Sequence, residues 1–126
     1  MSDVGTFRIT VAIENPFRMG ARRSVEGVLV DTGAELSVLP ADVLDALHIG
    51  REEQMRFRQA NGTVLERWIG MAIVYAGGRR APDYVVFGEP GDLVLLGARS
   101  IEGLNFRVDP VARKLVDAGP LPLAAV

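Results

Sequence analysis

The stretch GVLVDTGAELSVLP, residues 27–40, decides the fold. Val28-Leu29-Val30 runs straight into Asp31, and Thr32, Gly33 and Ala34 follow. A carboxylate at the end of an apolar strand is either solvated at the strand's edge or held in place for chemistry. Asp and Gly both favour turns, so the tripeptide alone reads as a turn. Its context says more. The apolar run sets Asp31 against the core. Thr32 offers a short hydroxyl that can hold the loop by a hydrogen bond. Gly33 has no side chain, so another backbone or a substrate can come close. Ala34 is small for the same reason.

Upstream, Phe7, Ile9, Val11 and Ile13 alternate with Arg8, Thr10, Ala12 and Glu14, the period of a half-buried strand. NPFRMGAR (15–22) reads as a turn punctuated by Pro16 and Gly20, and residues 23–30 as a second strand paired with the first. Downstream, LPADVLDALHIG (39–50) reads as a short helix. Pro40 suits its first turn, Val43, Leu44 and Leu47 share a face, and Gly50 suits the stop. MRFRQ (55–59) alternates, Asn61-Gly62 is a hairpin signal, and a long strand follows over 64–75. AGGRRAP (76–82) reads as a turn, 83–89 as a strand and 89–92 as another turn. Leu93 to Leu96 is an apolar run closed by Gly97, residues 98–104 suit a short helix, and two strands flank Asp109-Pro110. No repeat or linker interrupts the pattern, so residues 1–126 read as a single β-rich domain with one or two short helices.

Composition excludes several chemistries. The 126 residues are 48% hydrophobic and 24% charged, with a net charge of −2, the balance of an ordinary globular chain. There is no cysteine, hence no disulfide, thiolate metal site or cysteine nucleophile. The one histidine, His48, reads as a surface residue at a helix end. A multi-histidine metal site or a Ser-His-Asp triad within one chain therefore fits poorly, and neither metal nor cofactor is expected. Arg22-Arg23 and Arg79-Arg80 read as solvated loop charges, which argues against nucleic-acid binding. No signal peptide is apparent. The longest uncharged stretch, WIGMAIVYAGG, falls short of the ~20 residues of a membrane-spanning helix. No membrane association and a cytoplasmic location are expected. Two phosphate-type readings of the Asp-Thr-Gly also fail. A haloacid-dehalogenase-like motif wants a second aspartate where Gly33 stands, and a P-type ATPase motif wants a lysine between the Asp and Thr-Gly.

Three features, in this order, resemble the retroviral-type aspartic proteases (retropepsins) and their single-domain bacterial and archaeal relatives. They are Val30-Asp31-Thr32-Gly33-Ala34, the hairpin around 56–75, and Leu95-Leu96-Gly97 before a helix. The resemblance covers most of the chain. It implies a mainly β fold, a closed β-barrel equivalent to half of a pepsin-type fold. It implies catalysis by two carboxylates sharing one proton, of which the ionised one takes a proton from water and the other donates to the scissile carbonyl. The chain holds one Asp-(Ser/Thr)-Gly. Asp117-Ala118-Gly119 lacks the hydroxyl and reads as a turn. The second aspartate then comes from a second copy, in a homodimer with Asp31 at the two-fold axis.

The resemblance implies Asp31 as the catalytic residue, with Thr32, Gly33 and Ala34 forming its loop and Thr32 bracing it across the axis. Gly33, Glu35, Asn61, Gly62 and Thr63 would contact an extended peptide substrate, the last three as the tip of a closing flap. Leu95, Leu96, Gly97 and Arg99 would support the site from behind. Two positions depart from the pattern: Glu35 stands where the retroviral enzymes often have Asp, and Ala98 separates Gly97 from Arg99. Glu35 is read as a substrate contact, a partner of Arg99 or a solvated charge, and Arg99 as that partner or a helix-surface residue. Val64, Leu65, Leu36 and Leu95 suit apolar subsites or the core, and Trp68 reads as core ahead of a substrate contact. The tail, residues 119–126, reads as flexible or dimer-contacting, because Pro120 and Pro122 cannot donate ladder hydrogen bonds. The expected function is a homodimeric aspartic endopeptidase. The alternative is a dimeric peptide-binding or scaffold domain of the same fold with little or no catalysis.

Overall fold

The computed structural model describes residues 6–125; Val126 of the tail and the first five residues lie outside the described part. In chain order the elements are β1 (Arg8–Asn15), β2 (Arg18–Val30), β3 (Ser37–Pro40), α1 (Ala41–Ala46), β4 (Glu53–Arg58) and β5 (Val64–Ala76). They continue with β6 (Arg79–Gly88), β7 (Leu95–Leu96), α2 (Ala98–Gly103), β8 (Phe106–Asp109) and β9 (Lys114–Asp117). No helix among the described residues is long and apolar enough to cross a membrane.

Alternation along β1 and β2 places Val11, Ile13, Val28 and Val30 in the main core. There they meet Leu44 of α1, Val74 of β5, Leu96 of β7 and Ile101 of α2. Each such side chain, removed from water, contributes about 1.5–3 kcal/mol. A smaller cluster of Leu36, Ile69 and Val86, backed by Val38 and Phe57, sits beside it.

Seven strands form one sheet in the order β1-β2-β7-β3-β6-β5-β4, and β8 and β9 pair apart as a hairpin. The expected closed barrel is corrected here: the sheet curls but does not close into one. A short β1–β5 pairing of three residue pairs, Ala12↔Tyr75 to Glu14↔Ile73, folds the sheet back on itself. Beyond it, β4 pairs only with β5 and ends the sheet as a free edge. In the middle, β7 contributes two residue pairs to β2 and one to β3. Closure needs strand lengths and stagger to match around the whole ring. Gly97 turns the chain into α2 after two residues of β7, and β4–β5 overhangs, so they do not match.

Other boundaries also shift. The turn after β1 is shorter than expected, and β2 begins at Arg18. Gly77-Gly78, both at positive φ, make a two-residue turn, so β6 already starts at Arg79. The arginine pairs therefore lie on strands rather than in loops. Arg22 lies over the Tyr75 ring at 3.8 Å. Arg79 lies over Phe106 at 4.3 Å and reaches Asp117 Oδ1 at 2.7 Å. Pro40 is the last residue of β3 and caps α1 instead of opening its first turn. His48 is exposed just past α1 at φ 59, near its expected place. Trp68, expected in the core, is 38% exposed on β5 opposite Gln54 of the edge strand. Trp68 lies on the face of the hairpin opposite to Phe57, Leu65 and Ile69, which turn toward the body, so its own face has little to pack against.

Two buried polar side chains that alternation does not anticipate close the far end of β1. Glu14 accepts from the Tyr75 hydroxyl and from Gly20 N–H, both at 2.5 Å. Those two bonds hold its carboxyl below the usual carboxylate range. Asn15 donates to Leu47 O and His48 O, each at 3.0 Å, tying the β1 end to the end of α1.

Candidate active site

β2 leaves the sheet at Val30, and β3 re-enters it at Ser37. Between them lies β7, parallel to β2 and antiparallel to β3. The loop 31–36 must therefore arch over the end of a strand that arrives 60 residues later. Asp31 N–H donates to Leu96 O at 3.0 Å, so the loop is fastened at its first residue. Ala98 N–H donates to Ala34 O at 2.7 Å and Arg99 N–H to Glu35 O at 3.1 Å, which fastens its far side to α2. These bonds bring together Asp31, Ala34, Glu35, Leu96 and Arg99.

Asp31 is half-buried, and its Oδ1 accepts from Gly33 N–H at 2.9 Å. A Cβ on Gly33 would come within 3.2 Å of that same oxygen. Glycine there lets the loop fold tightly around the carboxylate. Thr32 is exposed beside it. Glu35 does pair with Arg99, at 3.6 Å, but with side chains 80% and 59% exposed. Such a pair contributes at most about 1 kcal/mol.

Gly97 makes the closest approach behind the loop. A Cβ there would lie 2.6 Å from both C and O of Leu36. Gly97 N–H donates to Ser37 Oγ at 3.0 Å, and Ser37 Oγ lies 2.6 Å from Ser100 Oγ. Ser100 in turn donates to Asp83 Oδ2 at 3.2 Å. Both serines are fully buried. Sequence reading missed this group. A serine inside an apolar stretch at 36–39 was its only local signal, and the partners stand 46 and 63 positions away.

The hairpin tip lies apart from this assembly. Asn61, Gly62 and Thr63 are exposed, and no hydrogen bond among the described residues joins them to the Asp31 loop. Gly62 N–H donates to Gln59 O at 2.9 Å, and Gln59 N–H to Thr63 O at 2.8 Å. Gly62 has φ +88, while Asn61 keeps negative φ. This is a three-residue loop, a type I turn followed by a left-handed glycine, rather than the two-residue Asn-Gly turn. Just below the tip the hairpin does reach the loop, through Phe57, paired with Leu65 and packed with Leu36, Val38 and Ile69. It is also moored by Arg67, which grips Asp92 with two hydrogen bonds of 2.7 and 2.9 Å. That grip lowers the Asp92 carboxyl below its ordinary range. Of the suggested subsite residues, Leu36 and Leu95 are buried, Leu65 is half-buried and Val64 is 40% exposed.

Neither of two surface hollows includes Asp31. One, of about 250 Å³, is lined by Arg56, Phe57, Arg58 and Val64 of the hairpin. The other, of about 420 Å³, lies at Arg22, Tyr75 and Arg80.

A family model described as "gag-polyprotein putative aspartyl protease" matches residues 23–102, nearly two-thirds of the chain. The chain belongs to this aspartyl protease family. The match takes in the Asp31 loop, the hairpin and nearly all of α2, and ends before β8. Among solved structures, the chain is similar to that described as "Solution structure of Simian Foamy Virus (mac) protease". The TM-score is 0.50 at 17% identity, over 76% of this chain and 92% of the viral one. At that identity the likeness concerns the fold alone. No curated protein matches the chain.

Proposed function

We propose that the protein is an aspartic endopeptidase active as a homodimer, each copy giving Asp31 to a pair that shares one proton. The observation that carries this reading is a half-buried carboxylate at a strand end, accepting from Gly33 N–H on a loop whose Asp31 N–H is tied to Leu96 O, in a chain with one Asp-(Ser/Thr)-Gly. Family membership supports it. A two-fold axis through the Asp31 loops supplies the second carboxylate and the opposite wall.

In this reading the ionised Asp31 takes a proton from water as its oxygen bonds to the scissile carbonyl carbon. The protonated Asp31 of the other copy gives its proton to the carbonyl oxygen. Collapse of the tetrahedral adduct breaks the C–N bond, and the amine leaves with a proton. Thr32 braces the paired loops. Gly33, Glu35 and the Asn61-Gly62-Thr63 tip contact an extended peptide, the tip closing as a flap. Digestion of a peptide library at mildly acidic pH tests the proposal. Cleavage blocked by a statine-type transition-state mimic supports it. Tight peptide binding without cleavage supports the scaffold reading instead.

Two further outcomes follow from this arrangement. Gly62→Val should slow turnover more than it weakens the fold, as melting temperature and turnover measured side by side would show. A Cβ at Gly62 meets nothing within 4 Å, so the damage is conformational: β-branched residues resist φ +88. A variant with wild-type turnover would remove the hairpin's role as a lid. Specific activity should also fall on dilution as the concentration nears the dimer dissociation constant. The dimer is held mainly at the Asp31 loops and the residues after Gly97. Residues 120–125 join no strand, and Leu121 and Leu123 are exposed. Deleting residues 119–126 should leave a dimer in sedimentation. A monomer at concentrations where the full chain is dimeric would make the tail the main clasp.

A further inference from the structure

We propose that Asp83 is a positioning residue for the Asp31 loop, acting through the buried chain Ser100–Ser37–Gly97. The proposal rests on the peptidase reading for its kinetic consequence and on the hydrogen bonds alone for its structural one.

Chemistry fixes the direction of the chain. An ionised carboxylate only accepts hydrogen bonds, so Ser100 must donate its hydroxyl proton to Asp83 Oδ2. With that proton committed, the 2.6 Å contact between the serines must run from the Ser37 hydroxyl to Ser100 Oγ. Ser37 Oγ is then left with its lone pairs facing Gly97 N–H, which donates at 3.0 Å. Every member is satisfied, and each bond polarises the next. The chain crosses from β6 through α2 to β3 and ends at the amide directly after Leu96. Leu96 O is the acceptor that fastens Asp31 N–H.

Asp83 is suited to anchor such a chain. It is half-buried on β6 opposite Ala72 of β5, and its Oδ1 accepts from Tyr84 N–H at 2.8 Å. Burial pushes its carboxyl above the ordinary range, while the Tyr84 and Ser100 bonds and the Arg99 charge favour the ionised form. Beyond Gly97, no backbone hydrogen bond is needed from Asp83 itself to the catalytic loop. Its hydrogen-bonded influence on the loop passes through the two hydroxyls, beside the charge of Arg99, which pairs loosely with Glu35.

The test is a double-mutant cycle read by kinetics and by amide hydrogen exchange on the full chain. Asp83→Ala should lower kcat by about tenfold, the scale of one charge-assisted hydrogen bond, with KM within about twofold. Asp83→Asn keeps an acceptor for Ser100 and should restore most of the loss. Ser37→Ala should match or exceed Asp83→Ala. Adding Asp83→Ala to it should cost nothing more, because the chain is already cut. Exchange at Gly97 and Asp31 N–H should quicken in Asp83→Ala while the β5–β6 ladder stays protected. If Ser37→Ala fails to fold, Ser100→Ala takes its place in the cycle. Additive losses, or unchanged exchange at Gly97 and Asp31, overturn the proposal. A wild-type protein that cleaves nothing, yet shows the exchange pattern, sinks the peptidase reading and leaves the positioning role standing.

Discussion

Asp31→Asn should lose peptidase activity by a factor of at least about 10²–10⁴, the range that a positioned acid or base supplies. The fold should survive. Asparagine keeps the shape of aspartate, and its amide oxygen can still accept from Gly33 N–H as Asp31 Oδ1 does at 2.9 Å. The tie from residue 31 N–H to Leu96 O involves only backbone and is untouched. What the substitution removes is the exchangeable proton, and in a homodimer it is removed from both copies at once. Melting temperature and sedimentation should match wild type while cleavage disappears. Mixing variant and wild-type chains offers a sharper check. If each active site takes one Asp31 from each copy, excess variant should poison wild-type activity through mixed dimers. Activity that merely scales with the wild-type chain present would point to catalysis within one chain.

The sequence is most legible where burial alone sets the pattern. Val11 and Ile13 on β1 show their period directly, because a curled sheet leaves the strand one inner face. Asp31 was legible because a charge directly after Val28-Leu29-Val30 contradicts that pattern. The rest depends on partners remote in sequence. β3 is four residues long, and its first residue is a fully buried serine, tolerated only because Ser100 and Gly97 meet it. β7 is two residues long, too short to show a period, yet it lies between β2 and β3 and fastens the Asp31 loop through Leu96 O. Failure to close into a barrel follows from the lengths of β7 and of the β4–β5 overhang, and alternation carries no information on length. Trp68 was misplaced because an aromatic residue in a strand reads as core, whereas here it falls on the outer face of the hairpin, opposite to the face of Ile69 and Phe57. Arg22 and Arg79 read as loop charges until Tyr75 and Phe106 are seen beneath them.

Gly97→Ala should be the most damaging single methyl group at the site. The added Cβ would lie 2.6 Å from Leu36 C, 2.6 Å from Leu36 O and 3.0 Å from Glu35 O. All three are backbone atoms, so no side chain can swing away to make room. Either the 31–36 loop retreats or β7 and the start of α2 do. Both movements stretch the same three bonds: Asp31 N–H to Leu96 O, Ala98 N–H to Ala34 O and Arg99 N–H to Glu35 O. Overpacking of this kind costs about 1–3 kcal/mol. For a chain of this size that corresponds to a fall in melting temperature of about 5–15 °C. Activity should fall further than stability, because the displaced atoms belong to the loop that carries Asp31, and a misplacement of about 1 Å can cost 10²-fold in rate. Gly50→Ala is the control. Its Cβ would meet nothing within 4 Å, and its φ is not positive. That change should be neutral or stabilising by about 0.4–1 kcal/mol, through the unfolded chain. A Gly97→Ala protein as stable and as active as Gly50→Ala would mean that the loop does not rest on Gly97, and the account of how Asp31 is held would have to be replaced.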